Sequence, residues 1–330
     1  MVPFEYLFIQ QREVKVPKVS VIVPCYNVEE HLVNCFQDLS NQTLKDVEFL
    51  LVNDGSNDKS LEKIQAFSKI DSRVTLISSQ NRGVSSARNT GIRLARAPYL
   101  FFFDPDDRID NDYLEKLYFK IRSGNFDVVK SNYFRVDRLG RKSKTSLNEI
   151  LEKSQNSLLG LNSDWQGCLY SKQLIKEYNI EFPEHITYKE DVAFLFCFTA
   201  VARKLGFENS TNYYYYFQRP GSSTNFLLNN RKKTIIKLYH SILQLVFRIN
   251  FLNNLEGNTL DEYKYNLLFY KTIKTCFNYL KNPLFEEDDS LKGVVGTFFS
   301  SLPTNCANWE KLKISFPDQI YNTIERYSST

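Results

Sequence analysis

The sequence predicts an α/β fold, with a mostly parallel central sheet flanked by helices and a helical region after it. Three observations carry this. Short β-branched and aromatic runs recur along residues 19–129, each bounded by turn residues. Between them, apolar residues recur at spacings of three and four, the helical period. Directly after three of the runs stand polar residues that no core needs: Tyr26-Asn27, Asn53-Asp54, and Asp104 to Asp107. Parallel α/β sheets bind ligands at that place, outside the carboxyl ends of their strands.

In chain order, residues 19–23 form a strand that Pro24 is expected to end. Residues 28–40 place Leu32, Val33, Phe36 and Leu39 on one helical face. Residues 47–52 are the second strand, closed by the turn Asn53-Asp54-Gly55-Ser56. Asp58 is placed to cap the helix bearing Leu61, Ile64 and Phe67. Residues 74–77 make a third strand and 84–97 a third helix, whose small Ala87, Gly91 and Ala95 allow close packing on the sheet. Residues 99–103 are the fourth strand, followed by a helix with Leu114, Leu117, Tyr118 and Ile121. A strand at 126–129, a hairpin turning near 137–140, and a polar stretch at 146–163 follow. Then come an extended stretch at 165–170, a short helix to Tyr178, and an apolar helix from Glu190-Asp191 through Val201.

The fourth strand runs straight into three carboxylates, Asp104, Asp106 and Asp107, stiffened by Pro105. Negative charge clustered at the end of a buried strand is costly unless something positive sits there. A hard divalent cation with oxygen ligands is one answer; a solvated turn capping the next helix is the other. This stretch by itself does not choose, but its convergence with the other two polar strand ends favours a site.

Composition bounds the rest. An apolar fraction of 42% and a charged fraction of 24% over 330 residues describe an ordinary globular chain. A net charge of +4 is too small to argue for nucleic acid, and none is expected as a partner. Six cysteines without a C-x-x-C pair read as free thiols of a reducing compartment. Three histidines argue against a His-rich zinc or iron site. Residues 1–18 lack the basic start of a signal peptide and read as a leader segment. With no run of about 20 apolar residues, a cytoplasmic protein is expected.

From about Phe226 the character changes: Ile235, Leu238, Ile242, Leu245 and Ile249 recur at helical spacing, and basic residues outnumber acidic ones up to 282. Residues 226–330 read as a helical C-terminal region with two uses. It could dock peripherally on the anionic inner face of the cell membrane, or serve as a packing domain or homodimer contact.

Five motifs together resemble the inverting family 2 glycosyltransferases of bacterial surface-polysaccharide type. They are Val19 to Asn27, Val52-Asn-Asp-Gly-Ser-Asn-Asp58, Asn81 to Gly91, Phe103-Asp-Pro-Asp-Asp107, and Glu190-Asp191 followed by Phe194. The resemblance covers 19 to about 224. It implies a GT-A (nucleotide-diphospho-sugar transferase) fold, with 19–130 a nucleotide-binding half and 131–225 an acceptor-side half. It further implies transfer of a hexosyl or N-acetylhexosaminyl group from a nucleotide sugar, UDP-linked by expectation. The acceptor would be a hydroxyl of a glycan or lipid-linked molecule in surface polysaccharide or lipooligosaccharide synthesis.

By the same resemblance, Pro24, Tyr26 and Asn27 frame the nucleotide pocket, Asp54 accepts a hydrogen bond from the nucleobase, and Arg88 reaches the base or the phosphates. Asp106 holds Mn2+ or Mg2+, and Asp104 contacts the ribose or the metal's shell. Asp107 supports that loop. Asp191 is the catalytic base, beside a Glu190 that either orients it or caps the helix. Arg219 is placed to meet the diphosphate; Trp165 and the Tyr213–Tyr216 run could stack on a sugar, although such aromatics are more often core. Two departures stand out: Asn53 where Asp is frequent, and Gly167 where Lys is common.

The alternative is a non-catalytic scaffold subunit that binds nucleotide sugar. An oxidoreductase is disfavoured because the first strand leads into Pro-Cys-Tyr-Asn and not a G-x-G-x-x-G turn. A sugar nucleotidyltransferase would want a Gly-rich loop with Arg and Lys there.

Overall fold

The structure is a computed structural model. It describes residues 16–144, 167–209, 214–217, 231–255, 268, 272–273, 275–276 and 278–301. Its centre is a seven-stranded sheet in the order β10-β6-β9-β4-β1-β2-β3. These strands are β1 (Val19–Cys25), β2 (Val47–Asp54), β3 (Val74–Ser79), β4 (Tyr99–Phe102), β6 (Val128–Ser131), β9 (Cys168–Ser171) and β10 (Leu205–Glu208). Only β9 runs against its neighbours, so the sheet is mostly parallel, as expected. A second sheet has the order β5-β11-β7-β8, with β5 (Arg108–Ile109), β7 (Tyr133–Val136), β8 (Lys142–Lys144) and β11 (Tyr214–Phe217). The expected hairpin is the β7–β8 pair, turning where Gly140 N–H donates to Asp137 C=O at 3.0 Å.

Every residue of β1 and β2 is buried, which is why both read as continuous apolar runs. Alternate residues serve opposite faces. Val19, Val21 and Val23 join a core with α1 (Leu32–Ser40) and α4 (Tyr113–Gly124). Ile22, Leu50 and Phe102 join the other, with α3 (Val84–Leu94), α5 (Lys172–Glu177) and α6 (Glu190–Val201). The helix between β2 and β3 is α2 (Ser60–Ile70).

Three element ends differ from expectation, each for a tertiary reason. Pro24 does not end β1; it pairs in register with Val52. Ile22 C=O accepts from Phe103 N–H at 3.0 Å, and Pro24, two residues on, faces the same side beyond the end of β4. Its missing N–H therefore costs no ladder bond. Helix α1 begins at Leu32 and not near 28, because Val28 N–H donates to Ser60 Oγ (2.9 Å) and Glu29 N–H to Asp58 Oδ2 (3.1 Å). Helix α3 stops at Leu94: Arg96 N–H donates to Glu48 Oε1 (2.6 Å) and Ala97 N–H to Ser20 Oγ (3.0 Å).

Helix α6 is apolar all round, and Ala193 through Val201 are all buried. Such a helix needs packing partners on two sides. The sheet supplies one. The other comes from α7 (Arg231–Asn253) and α8 (Asp289–Ser300), whose Ile242, Leu245, Ile249, Leu291, Val295 and Phe298 belong to the same core. The described part of the C-terminal region thus shares a core with the sheet. The expected boundary at 225/226 and the leader up to 15 lie outside the described residues.

The close packing of α3 yields a test. A Cβ at Gly91 would lie 2.4 Å from Ile22 Cγ2, on a buried β-branched side chain. Gly91→Ala should lower stability by about 1–3 kcal/mol in urea denaturation. Ile22→Ala should cost less in that background than in wild type, and a Gly91→Ala protein as stable as wild type would show the helix is not held this close.

Candidate active site

The order of the sheet reverses between β4 and β1, the kind of crevice where such folds bind ligands. The three polar strand ends meet there. Tyr26 is 45% exposed, whereas Pro24 is part of β1. Asn27 sits in a left-handed backbone (φ 51°), which Asn tolerates. Its N–H donates to Ser56 Oγ (3.1 Å), and its Oδ1 accepts from Asn57 N–H (2.8 Å), tying the β1 and β2 loops together. Asp54 is buried, and its two oxygens accept from the backbone N–H groups of Arg82 (2.9 Å) and Gly83 (2.8 Å). Its carboxylate thereby shapes the turn entering α3. Asn53, in the place of a frequent Asp, donates to Ser78 Oγ at 3.0 Å.

Asp104, Asp106 and Asp107 bring one carboxylate oxygen each within 4.8 Å of the others. They are not equivalent. Asp107 is buried and accepts from Tyr214 OH and from Phe217 N–H (3.0 Å). Burial, then the charge of Asp104, push its carboxyl well above the carboxylate range, while those two hydrogen bonds pull the other way. Asp107 therefore braces the loop, and Asp104 and Asp106 are its partly exposed carboxylates. That donor set, all oxygen and presented by a rigid turn, fits a hard divalent cation.

Asp104 is tied across the crevice by Arg88 of α3. The guanidinium, only 4% exposed, places NH2 3.0 Å from Asp104 Oδ1 and NH1 3.1 Å from Glu190 Oε1. Burial alone would lower its pKa; the negative charges of Asp104, Glu190 and Asp191 outweigh it and raise it. Expected against the base or phosphates, Arg88 here joins the Asp104 loop to the start of α6. Glu190 stands in the first turn of α6 and accepts from Arg88 NH1 there. Asp191, on the first turn, is partly exposed, and its Oδ1 accepts from Val192 N–H at 2.7 Å. Burial first and Glu190 second push its carboxyl up to about 7, with Asp104 adding to them and Arg88 and the Val192 N–H opposing.

The sequence reading missed Asn89 and Glu184. Asn89 is buried on α3; its Oδ1 accepts from Phe182 N–H and its Nδ2 donates to Phe182 C=O, both at 2.8 Å. Glu184 accepts from that same Nδ2 (3.2 Å) and from Arg82 (3.0 Å). Together they moor the segment that leads to Asp191. The available signal was a buried-face polar residue inside the Asn81–Gly91 motif. Gly167 has φ +71°, and a Cβ there would lie 2.8 Å from Ser131 Oγ and from Tyr113 OH, so the Lys common at this position has no room. Trp165, Tyr213 and Arg219 lie outside the described residues. Tyr214 is core, its ring edge-on to Phe101 and Phe103. His185 is exposed.

Comparison with known proteins gives the family and the fold. The family described as Glycosyl transferase family 2 matches residues 20–203, more than half of the chain. The uncharacterized glycosyltransferase EpsJ of Bacillus subtilis is 34% identical over 190 residues, which is 54% of this chain and 55% of that protein. Glycosyltransferase GlyA of Streptococcus pneumoniae is 44% identical over 117 residues, 36% of this chain and 17% of that one. The chain thus spans about half or less of these relatives. Among solved structures, Staphylococcus aureus TarS 1–349 in complex with UDP-GlcNAc has a TM-score of 0.70 at 21% identity, over 87% of this chain and 82% of that one. That likeness shows the fold.

The Asp191 carboxyl gives a pH test with a definite sign. It titrates near 7 in the folded protein, against about 3.9 for an unfolded Asp. The folded state therefore binds the proton more tightly, and stability falls as pH rises between those values. In metal-free buffer Asp191→Asn should gain about 1–2 kcal/mol over wild type at pH 8. The gain should be smaller at pH 5, by thermal melting. Equal gains at both pH values would contradict the raised carboxyl.

Proposed function

The chain belongs to glycosyl transferase family 2, and on that premise we propose that it is an inverting, divalent-metal-dependent transferase that uses a UDP-linked sugar. Its acceptor is a hydroxyl of a glycan or lipid-linked molecule in surface polysaccharide synthesis. The observation that carries this is Arg88: one buried guanidinium links the Asp104 loop at the sheet crevice to the helix that opens with Glu190-Asp191. A donor-binding edge and a base are thereby held on the two sides of one opening. The UDP and UDP-GlcNAc complexes of TarS support the choice of nucleotide. The Pyrobaculum calidifontis mannosyltransferase complex with GDP-Man and Mn2+ supports the metal; it has a TM-score of 0.52.

Asp191 takes the proton of the acceptor hydroxyl as its oxygen attacks the anomeric carbon, and the bond to the diphosphate breaks on the opposite face. A single displacement inverts the configuration, with no carboxylate nucleophile as in retaining enzymes. A divalent cation held by Asp106 and Asp104 would neutralise charge on the leaving diphosphate. Asp107 keeps those two carboxylates presented. Tyr26 and Asn27 border the nucleotide, with Asp54 shaping the adjacent turn and offering its remaining lone pairs to the base. Glu190 and Arg88 orient Asp191, and Arg219 is assigned to the diphosphate by the family resemblance alone.

Two variants separate binding from chemistry. Asp191→Asn should bind UDP and Mn2+ as wild type does by titration calorimetry, yet lose at least about a hundredfold in sugar transfer. Asp106→Asn should weaken Mn2+ binding and lose transfer together. Transfer at the wild-type rate by Asp191→Asn would sink the base assignment. Metal-dependent UDP binding without turnover across a panel of UDP sugars would favour the scaffold alternative.

A further inference from the structure

Asp191 follows a left-handed backbone turn whose residues are touched by side chains of the C-terminal region. Lys189, immediately before α6, has φ 65° and ψ 27°, a left-handed geometry that long side chains rarely adopt. Such a residue persists only where its surroundings over-determine it. The Lys189 ammonium donates to Tyr279 OH and lies 4.7 Å from the Tyr279 ring centre and 5.3 Å from that of Tyr188. From α7, Lys237 sits 4.5 Å over the other ring in this group, Tyr188, and His240 lies 3.5 Å from the Thr187 backbone nitrogen.

Beyond Asp191, Arg248 of α7 is buried, donates to Val192 C=O at 3.4 Å, and lies 4.7 Å over the Phe196 ring. Burial lowers its guanidinium to about 10, against the pull of Cys197, Tyr279 and Asp191. Residues 187, 188, 189, 192 and 196 are therefore all touched from positions past 230, outside the stretch that the family matches.

We propose that Tyr279 and Arg248 are positioning residues for Asp191, holding the left-handed turn at Lys189 and the first turn of α6 from the C-terminal region. The proposal rests on Asp191 as the base. It explains why Lys189 needs no glycine: the ammonium is anchored at its far end, on Tyr279 and between two aromatic rings.

The test is a double-mutant cycle on the full chain with two readouts. Tyr279→Phe keeps the ring and removes the anchor; Lys189→Gly adopts the left-handed turn without one. UDP release is followed with the UDP sugar that a donor panel selects, UDP affinity by calorimetry with Mn2+, and hydrogen exchange over residues 184–193. Tyr279→Phe should cut kcat about tenfold. KM and UDP affinity should hold, and exchange should rise at 184–193 alone. In the Lys189→Gly background the same change should cost little. Arg248→Lys should retain more kcat than Arg248→Met.

Equal losses from Tyr279→Phe in both backgrounds, or wild-type exchange at 184–193, would overturn the positioning role. If wild type releases UDP from no sugar in the panel while exchange still rises in Tyr279→Phe, the catalytic reading fails and the clamp stands.

Discussion

The buried guanidinium of Arg88 is the constraint from which the site follows. A cation almost wholly removed from water must be matched by opposite charge, or the desolvation cost is left uncompensated. Arg88 meets that demand with Asp104 on one side and Glu190 on the other. Arg88 sits on α3, which packs so closely on the sheet that a Cβ at Gly91 would lie 2.4 Å from Ile22 Cγ2. The guanidinium joins its two partners to each other. One comes from the loop after β4 and the other from the first turn of α6, distant in sequence and adjacent in space. A second link runs parallel to it, from Asn89 and Arg82 to residues 182–184. The motif from Asn81 to Gly91 thus organises both sides of the opening.

The same electrostatic pressure divides the acidic loop. Three carboxylates within 4.8 Å cannot all remain charged and inward-facing at little cost. The second sheet relieves this by claiming one of them. Tyr214 of β11 offers its hydroxyl to Asp107 from within an aromatic cluster that includes Phe101, Phe103 and Tyr113. With Phe217 N–H added, Asp107 is satisfied inside the protein, leaving Asp104 and Asp106 toward the crevice. The tyrosine run that might have stacked on a sugar contributes at least this one residue to the support of the acidic loop.

What the sequence made legible were features governed locally or by burial on both faces. Continuous apolar runs marked β1, β2 and β4; the Asp137–Gly140 turn marked the hairpin; Glu190 marked the start of α6. What it hid were choices made between distant residues. Pro24 stays in β1 because β4 ends first, and α1 starts late because Ser60 and Asp58 capture the N–H groups of Val28 and Glu29. Arg88 could be placed on a helix, but helical period does not say which carboxylates a guanidinium will find. Asn89 looked like one more polar residue of a motif. The contacts from Lys237, Arg248 and Tyr279 were hidden for the same reason: periodicity gives α7 an apolar face and does not name what it faces.

The composition of α6 explains why the described C-terminal helices pack against it. A helix with Ala193 through Val201 all buried has no face to offer solvent, so a sheet on one side alone would leave it half exposed. The described residues of α7 and α8 close that second side, and the core they complete also contains Phe194, Leu195 and Phe198 of α6. This bears on the apolar character of α7, which over Thr234–Asn253 reaches a mean hydropathy of 1.2, enough by length and composition for a membrane span. Its Ile242, Leu245, Ile249 and Leu252 are used against this core, so the apolar stripe is accounted for by packing. Any surface that meets lipid or a second copy must be built from other residues, and the same packing that buries the stripe brings Arg248 to the base of α6.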